Sequence, residues 1–213
     1  MVKIVCISDT HNKHDEAIVP ECDILLCSGD FSGTGTANEV KNFLDWFSVQ
    51  PAKHIVYIAG NHDLSYEDSP NFKEKMIGLY PNINYLEASG ITLCGLNIWG
   101  DPHQPEFCDW AFNLPRGKRL QEQWAKIPEN TDVLLTHGPP YGIMDEVSFT
   151  GECVGDYDLL ERINQLKHLS ISCYGHIHQQ KQQVIKSGNI IFVNAAICDD
   201  RYYVINQPVV VDL

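Results

Sequence analysis

Short apolar runs that stop abruptly at a carboxylate or an imidazole recur along this chain, and they limit its fold more than any other feature. Val2 to Ile7 is a continuous β-branched and apolar run, the pattern of a strand buried on both faces, and it gives way to Ser8-Asp9-Thr10-His11. Ile24 to Cys27 closes in Ser28-Gly29-Asp30, and His54 to Ala59 in Gly60-Asn61-His62-Asp63. Asp132 to Leu135 breaks at Thr136-His137-Gly138, and Ile171 to Tyr174 at Gly175-His176-Ile177-His178. Between the second and third runs, Thr36-Ala37-Asn38-Glu39 has the spacing of a capping box, and Val40, Phe43, Leu44 and Phe47 follow at helical intervals. Strand, helix, strand predicts parallel pairing. In open parallel sheets ligands sit beyond the carboxyl ends of the strands, so all five polar breaks are expected on one edge.

The remaining elements follow the same periodicities. Phe72 to Tyr80, Lys118 to Lys126 and Asp158 to Lys167 read as helices, and Ile83 to Leu86 and Ile91 to Trp99 as strands. Val184 to Lys186 and Ile190 to Val193 flank Ser187-Gly188-Asn189 as a hairpin, and Tyr203 to Ile205 with Val209 to Val211 complete a strand-rich tail. Gly100 to Pro115 reads as a long loop, stiffened by prolines and carrying Phe107, Trp110 and Phe112. Such a loop either walls a site or is pinned to the surface by its own apolar cluster.

The expectation is a single domain, residues 1–213, of class α/β, with no internal repeat or linker. With 28 acidic against 15 basic residues the formal charge is −13, so a stable complex with duplex nucleic acid is not expected. The acidity is either an ordinary solvated surface or in part a local charge offset by bound cations. Eight cysteines are scattered without a C-x-x-C pair, several within apolar runs, as expected of small buried side chains with reduced thiols. No basic-then-apolar leader opens the sequence and no apolar stretch reaches spanning length, so the expected location is cytoplasmic, with no membrane partner. The oligomeric state has no signature here.

The polar breaks supply seven candidate metal ligands, Asp9, His11, Asp30, Asn61, His137, His176 and His178. Imidazole nitrogen and carboxylate oxygen without thiolate suit manganese first, with iron, zinc or cobalt as alternatives. Seven ligands exceed one coordination shell, and a carboxylate such as Asp30 can bridge two divalent ions roughly 3.5–4 Å apart.

In this order, D-x-H, G-D, G-N-H-D, a lone histidine after a strand and G-H-x-H resemble the metallophosphoesterase superfamily, the calcineurin-like phosphoesterases, over roughly residues 4 to 180. The resemblance implies a four-layer α/β-β/α sandwich with two central mixed sheets. It implies that Asp9, His11, Asp30 and His178 hold a first metal ion, and Asp30, Asn61, His137 and His176 a second. It implies that His62, left unligated, gives a proton to the leaving oxygen, with Asp63 as its orienting partner. Trp110 to Gly117, Leu135 to Pro140 and the closing Val209 to Leu213 are similar to the metallophosphoesterase-domain-containing subgroup linked to cyclic-nucleotide phosphodiester hydrolysis. Some members of that subgroup replace one residue of G-H-x-H by glycine and are weak catalysts, whereas this chain keeps both histidines. After Asp30 the chain departs from the protein phosphatases, with Phe31-Ser32-Gly33 in place of their V-D-R-G.

The expected chemistry is hydrolysis of a small phosphodiester or nucleotide. Two metal ions neutralise the phosphate oxygens and acidify a shared water, whose hydroxide attacks in line while His62 protonates the leaving group. A broad phosphomonoesterase, a nuclease and a non-catalytic metal-bound interaction module are the alternatives. Arg116 and Asn113 are candidates for contact with phosphate or sugar, the alternative being that Arg116 caps a helix and the loop's aromatics pack the loop, and His103 is a candidate on the same loop. Phe107, Trp110 and Phe112 are candidates for stacking on a base. Gly33-Thr34-Gly35 lacks the lysine that a phosphate-cradling loop needs and reads as a turn into the helix.

Overall fold

The computed structural model describes residues 1–178 and 183–213. Two mixed sheets face each other. The first is built on β1 (Lys3–Ile7), β2 (Cys22–Cys27), β3 (Ala52–Tyr57) and β4 (Asn84–Tyr85), all parallel, with β13 (Val209–Asp212) antiparallel on the outer side of β1. The second has β6 (Leu96–Asp101), β9 (Val133–Thr136), β10 (Ile171–Tyr174) and β12 (Ile190–Asn194) in parallel. It is flanked by antiparallel edge strands β5 (Ser89–Leu93) and β11 (Val184–Ser187).

Strand alternation divides the apolar residues among three cores and so builds four layers. Ile4 and Cys6 of β1, Ile24 and Leu26 of β2 and Val56 of β3 pack against Val133, Leu135, Ile171, Cys173 and Val193 of the second sheet. The alternate residues Val5, Ile7, Leu25, Cys27 and Tyr57 face outward onto Val40, Phe43, Leu44 and Phe47 of helix α1 (Ala37–Phe47). A short helix α2 (Ser65–Asp68) precedes α3 (Pro70–Leu79), whose Met76 joins the same outer core. On the far side, Leu134, Tyr174 and Phe192 meet α4 (Lys118–Trp124) and α5 (Tyr157–Gln165) through Leu120, Trp124, Leu159 and Ile163. The four-layer sandwich implied by the resemblance is the observed architecture. Both faces of β1, β2 and β9 are covered, which is why those runs read as continuous rather than alternating.

Helix α1 begins as its sequence dictates: the Thr36 hydroxyl accepts from the Glu39 amide, and the Glu39 carboxylate accepts from the Thr36 amide at 2.9 Å. Several expectations need correction. Ile91 to Trp99 is not one strand but the hairpin of β5 and β6, turned at Cys94 and Gly95, with φ of 51° and 80°. Apolar residues on both arms mimic a single run, and Cys-Gly is a weak turn signature. Tyr203 to Ile205 forms no strand; an isolated bridge joins Cys198 to Val204. The long loop after β6 is not structureless, because β7 (Gln104–Pro105) and β8 (Asn113–Leu114) pair within it. The polar breaks meet at one place, yet they come from two sheets rather than one. Cys6, Cys22, Cys27, Cys173 and Cys198 are buried as free thiols, while Cys94, Cys108 and Cys153 are exposed. Among the described residues no helix is long and apolar enough to cross a membrane.

Candidate metal centre

The backbone turns sharply where the strands end. Asp9, His11, Asp30 and His176 have φ of 51°, 40°, 51° and 64°, in the left-handed region that non-glycine residues enter at a cost. Each bend lifts a side chain off the strand line into the cleft between the sheets. Asp9 and Asp30 follow β1 and β2, and Asn61 and His62 follow β3. His137 follows β9, and His176 and His178 follow β10. Two glycines permit the crowding: a Cβ at Gly60 would collide with Asp30 and His137, and one at Gly175 with Asp9 and Ser8.

Around the first carboxylate, His178 Nε2 lies 3.3 Å from Asp9 Oδ1 and 3.3 Å from His11 Nε2. His11 Nε2 is 3.8 Å from Asp30 Oδ2. Around the second, His137 Nε2 lies 3.4 Å from Asp30 Oδ2 and 2.9 Å from Asn61 Oδ1, and the His176 ring is 5.0 Å from that of His137. Asp9, His11 and His178 form one group whose ligand atoms all lie within 4.8 Å, and Asp30, His137 and His176 form another. The seven side chains expected as ligands are therefore brought together. A third group, His11, Asp30 and His62, meets the same limit, which makes His62 a geometric neighbour of the cage.

The donor set fits divalent cations. The Ser28 carbonyl can only accept, so His137 Nδ1 donates to it at 2.8 Å; His178 Nδ1 likewise donates to Asp199 O at 2.9 Å. In their neutral forms both rings then aim the Nε2 lone pair at other acceptors, which is the arrangement of a cation cage. Without a cation, protons must supply the positive charge. Burial disfavours charging His137 and His178, but the Asp30 and Asp9 carboxylates outweigh it and push both up to about 9. Burial takes His11 down to about 4 and, aided by the charge on His137, His176 down to about 3. Asp9 is held at about 2, its burial overcome by His178.

His62 Nδ1 donates to Gly33 O at 2.7 Å, leaving Nε2 toward the cage at 4.0 Å from Asp30 Oδ2. Asp63 does not orient this ring directly. Its Oδ1 accepts from the Ser32 hydroxyl at 2.6 Å and its Oδ2 from the Gly60 amide at 2.8 Å. It therefore fixes the loop that carries Gly33. Complete burial and then the Asp30 charge push Asp63 up to about 8.

The aromatic loop is a wall. Trp110 lies over His62 with ring centroids 4.1 Å apart, Phe107 approaches His176 at 6.0 Å, and the Ala111 amide bonds the Asn61 carbonyl at 3.3 Å. Phe112, expected as a stacking candidate, is instead 1% exposed in the core. Asn113 spends its amide on the carbonyls of Phe107 and Cys108, closing the loop from within. His103 bonds Asp101 at 2.7 Å and lies beside Gln123. Neither is brought to the cage. Arg116 does border a cavity of about 310 Å³ beside His176 and His178, while its guanidinium donates to the carbonyls of Val154 and Gly155. Sequence reasoning missed Tyr202, whose ring lies 4.6 Å from that of His11, and Asp199, which holds His178.

Residues 2–180 match the profile of the calcineurin-like phosphoesterases. Over 231 residues the chain is 36% identical to metallophosphoesterase domain-containing protein 1 of Homo sapiens, covering 99% of this chain and 71% of that protein. It is 25% identical over 176 residues to a 3′,5′-cyclic-nucleotide phosphodiesterase of Nostoc, covering 79% of this chain and 60% of that one. Among solved structures, phosphopantetheinyl hydrolase from Mycobacterium tuberculosis is similar in fold, with a TM-score of 0.62 at 15% identity, covering 94% of this chain and 90% of that one. The profile spans most of the sequence and the ligand groups stand at the strand ends that the motifs mark, so the chain belongs to the calcineurin-like phosphoesterase family.

Proposed function

We propose that this chain hydrolyses phosphodiesters of small organic molecules, cyclic or other small nucleotides among them, with two divalent cations, manganese first. The carrying observation is the position of Asp30. Its Oδ1 accepts from the His62 amide at 2.8 Å, so Oδ2 is left to face both His11 at 3.8 Å and His137 at 3.4 Å. In this reading Asp9, His11, Asp30 and His178 would hold one cation and Asp30, Asn61, His137 and His176 the other. When bound, such a pair neutralises phosphoryl oxygens and lowers the pKa of water.

The chain's own residues do the rest. His62 presents Nε2 to the reacting phosphate; because Nδ1 donates to the Gly33 carbonyl, Nε2 is the nitrogen that takes up a proton, and the resulting imidazolium hands that proton to the departing oxygen and returns to the neutral ring. Trp110 covers the ring and limits its rotation. The cavity bordered by Phe107, Pro139 and Arg116 has room for the organic group of a small phosphate ester. The net charge of −13 works against a nuclease acting on long chains. The free thiols agree with a cytoplasmic location.

The test is turnover of a bis-aryl phosphodiester and of the corresponding monoester by protein loaded with Mn²⁺, Zn²⁺, Fe²⁺ or Co²⁺, followed by cyclic nucleotides. Preference for the diester is expected. Preference for the monoester would make the chain a phosphomonoesterase, and silence with every ion would make it a metal-bound interaction module.

A further inference from the structure

Three imidazoles of the centre are each held by a backbone carbonyl: His62 by Gly33, His137 by Ser28 and His178 by Asp199. Such a bond sets the tautomer and ring plane of a metal-ligating histidine. His11 lacks one. Its Nδ1 is buried without a hydrogen-bond partner among the described residues, although its Nε2 faces both carboxylates. Rings surround it instead: His62 at 4.7 Å, His178 at 5.2 Å and Tyr202 at 4.6 Å between centroids. His178 belongs to the cage and His62 borders it. Nothing in the motifs accounts for Tyr202.

Tyr202 is placed by a small, heavily bonded loop. Cys198 bridges to Val204, the Asp199 amide donates to Tyr203 O at 2.9 Å, and the Tyr202 amide donates to Asp199 O at 2.8 Å. The Asp199 carboxylate accepts from the amides of Arg201 and Tyr203, each at 2.9 Å. Together these hold Tyr202 at φ 61°, which a bulky residue adopts only when its surroundings impose it. Core packing is not the reason, because Tyr202 is 44% exposed. The same loop presents the Asp199 carbonyl to His178. One short segment thus governs two rings of the Asp9, His11 and His178 group, one through a carbonyl and one through a phenol ring.

We propose that Tyr202 is a positioning residue for His11, its ring standing where a carbonyl serves His62, His137 and His178. The two rings meet edge to face, 72° apart, a geometry in which a ring N–H can lie against a π face and in which the imidazole cannot swing out of the cage. The proposal rests on the reading that Asp9, His11, Asp30 and His178 hold a cation.

The experiment uses the metal-free full chain titrated with Co²⁺, alongside Tyr202→Gly and Tyr202→Phe. Glycine removes the ring while suiting a positive φ, so the loop itself is spared. Tyr202→Gly is expected to weaken one of two cobalt sites by about 10–100-fold, the cost of losing an outer partner of a metal ligand, and Tyr202→Phe to bind as the wild type does. The ¹⁵N imidazole signals of His11 in the metal-free protein should show one tautomer in the wild type and in Tyr202→Phe, and an average of two in Tyr202→Gly. Unchanged cobalt affinity in Tyr202→Gly, an unchanged His11 spectrum in that variant, or a Tyr202→Phe protein as weak as Tyr202→Gly would each overturn the proposal. A wild-type chain that holds no cobalt would defeat the two-cation reading instead, and the His11 spectrum would still decide the role of Tyr202.

Discussion

The backbone amide of His176 donates to both carboxylate oxygens of Asp9, at 3.0 Å each, across 167 residues of sequence. This contact ties the end of β1 in one sheet to the end of β10 in the other, and Gly175 makes it possible by having no Cβ to strike Asp9. Gly175→Ala should therefore destabilise the chain by about 1–3 kcal/mol, the usual cost of overfilling a packed site, and should lower its cation content. Thermal melting and metal analysis check this; a variant that melts and loads as the wild type does would show that these loops have slack.

His62 stands close enough to His11 and Asp30 to be a ligand, but its proposed work is proton transfer. His62→Ala should retain its metal and lose roughly 10²–10⁴-fold in turnover, with less loss for substrates whose leaving group needs no proton. Metal content measured beside the rates decides the matter. A variant that sheds a cation would make His62 a ligand.

The candidate ligands come from two sheets, so cations held by them should stabilise the folded chain more than they would within a single loop. Chelation is expected to lower the melting temperature, and returning a divalent ion at 100 times its Kd should restore about 2.7 kcal/mol. Scanning calorimetry with and without chelator reads this directly. Identical melting curves would mean that the cage binds nothing at the concentrations used.

Glu39 gathers the turn whose Gly33 carbonyl holds His62. Its carboxylate accepts from the Asn12 side chain at 2.8 Å and from the amides of Thr36 and Thr34 at 2.9 and 3.3 Å. Burial works against its charge, but these donors, Thr36 foremost, outweigh it and hold the carboxyl at about 2, below its ordinary 4.5. A carboxyl depressed by folding contributes stability above its unfolded pKa and loses it as the pH falls toward the folded value. Glu39→Gln should thus cost about 1 kcal/mol at neutral pH, the difference between charge-assisted and neutral hydrogen bonds on a solvent-screened side chain. The gap between wild type and variant should close between about pH 4.5 and pH 2. A gap that persists at pH 2 would place the stabilisation elsewhere.

The convergence of the candidate ligands was legible because each follows a buried strand, where a charged or imidazole side chain has no packing role and so stands out. Helix α1 was legible because the capping box is local chemistry, readable within four residues. The β5–β6 hairpin was hidden because its turn uses Cys94 in a left-handed conformation rather than Asn-Gly, leaving Leu93 and Leu96 to look continuous. Asn113 and His103 were misplaced because a polar side chain on a loop has the same appearance whether it faces a substrate or ties down the loop's own backbone. The carbonyls of Ser28, Gly33 and Asp199 carry no residue signature, since every residue has one. Asp199 and Tyr202 nevertheless had a signal that went unused: they follow the apolar run ending at Cys198, the same boundary rule that found the other groups.

A single oxygen atom, Asp30 Oδ2, stands toward both halves of the cage because its twin is occupied by the His62 amide. In the proposed two-cation reading both ions would draw on that atom, and their occupancies would be interdependent: filling one half would alter the charge the other half can offer. A half-loaded chain would then be a distinct species rather than an average of full and empty. Titrations of the proposed pair would then call for a coupled binding scheme, not two independent isotherms.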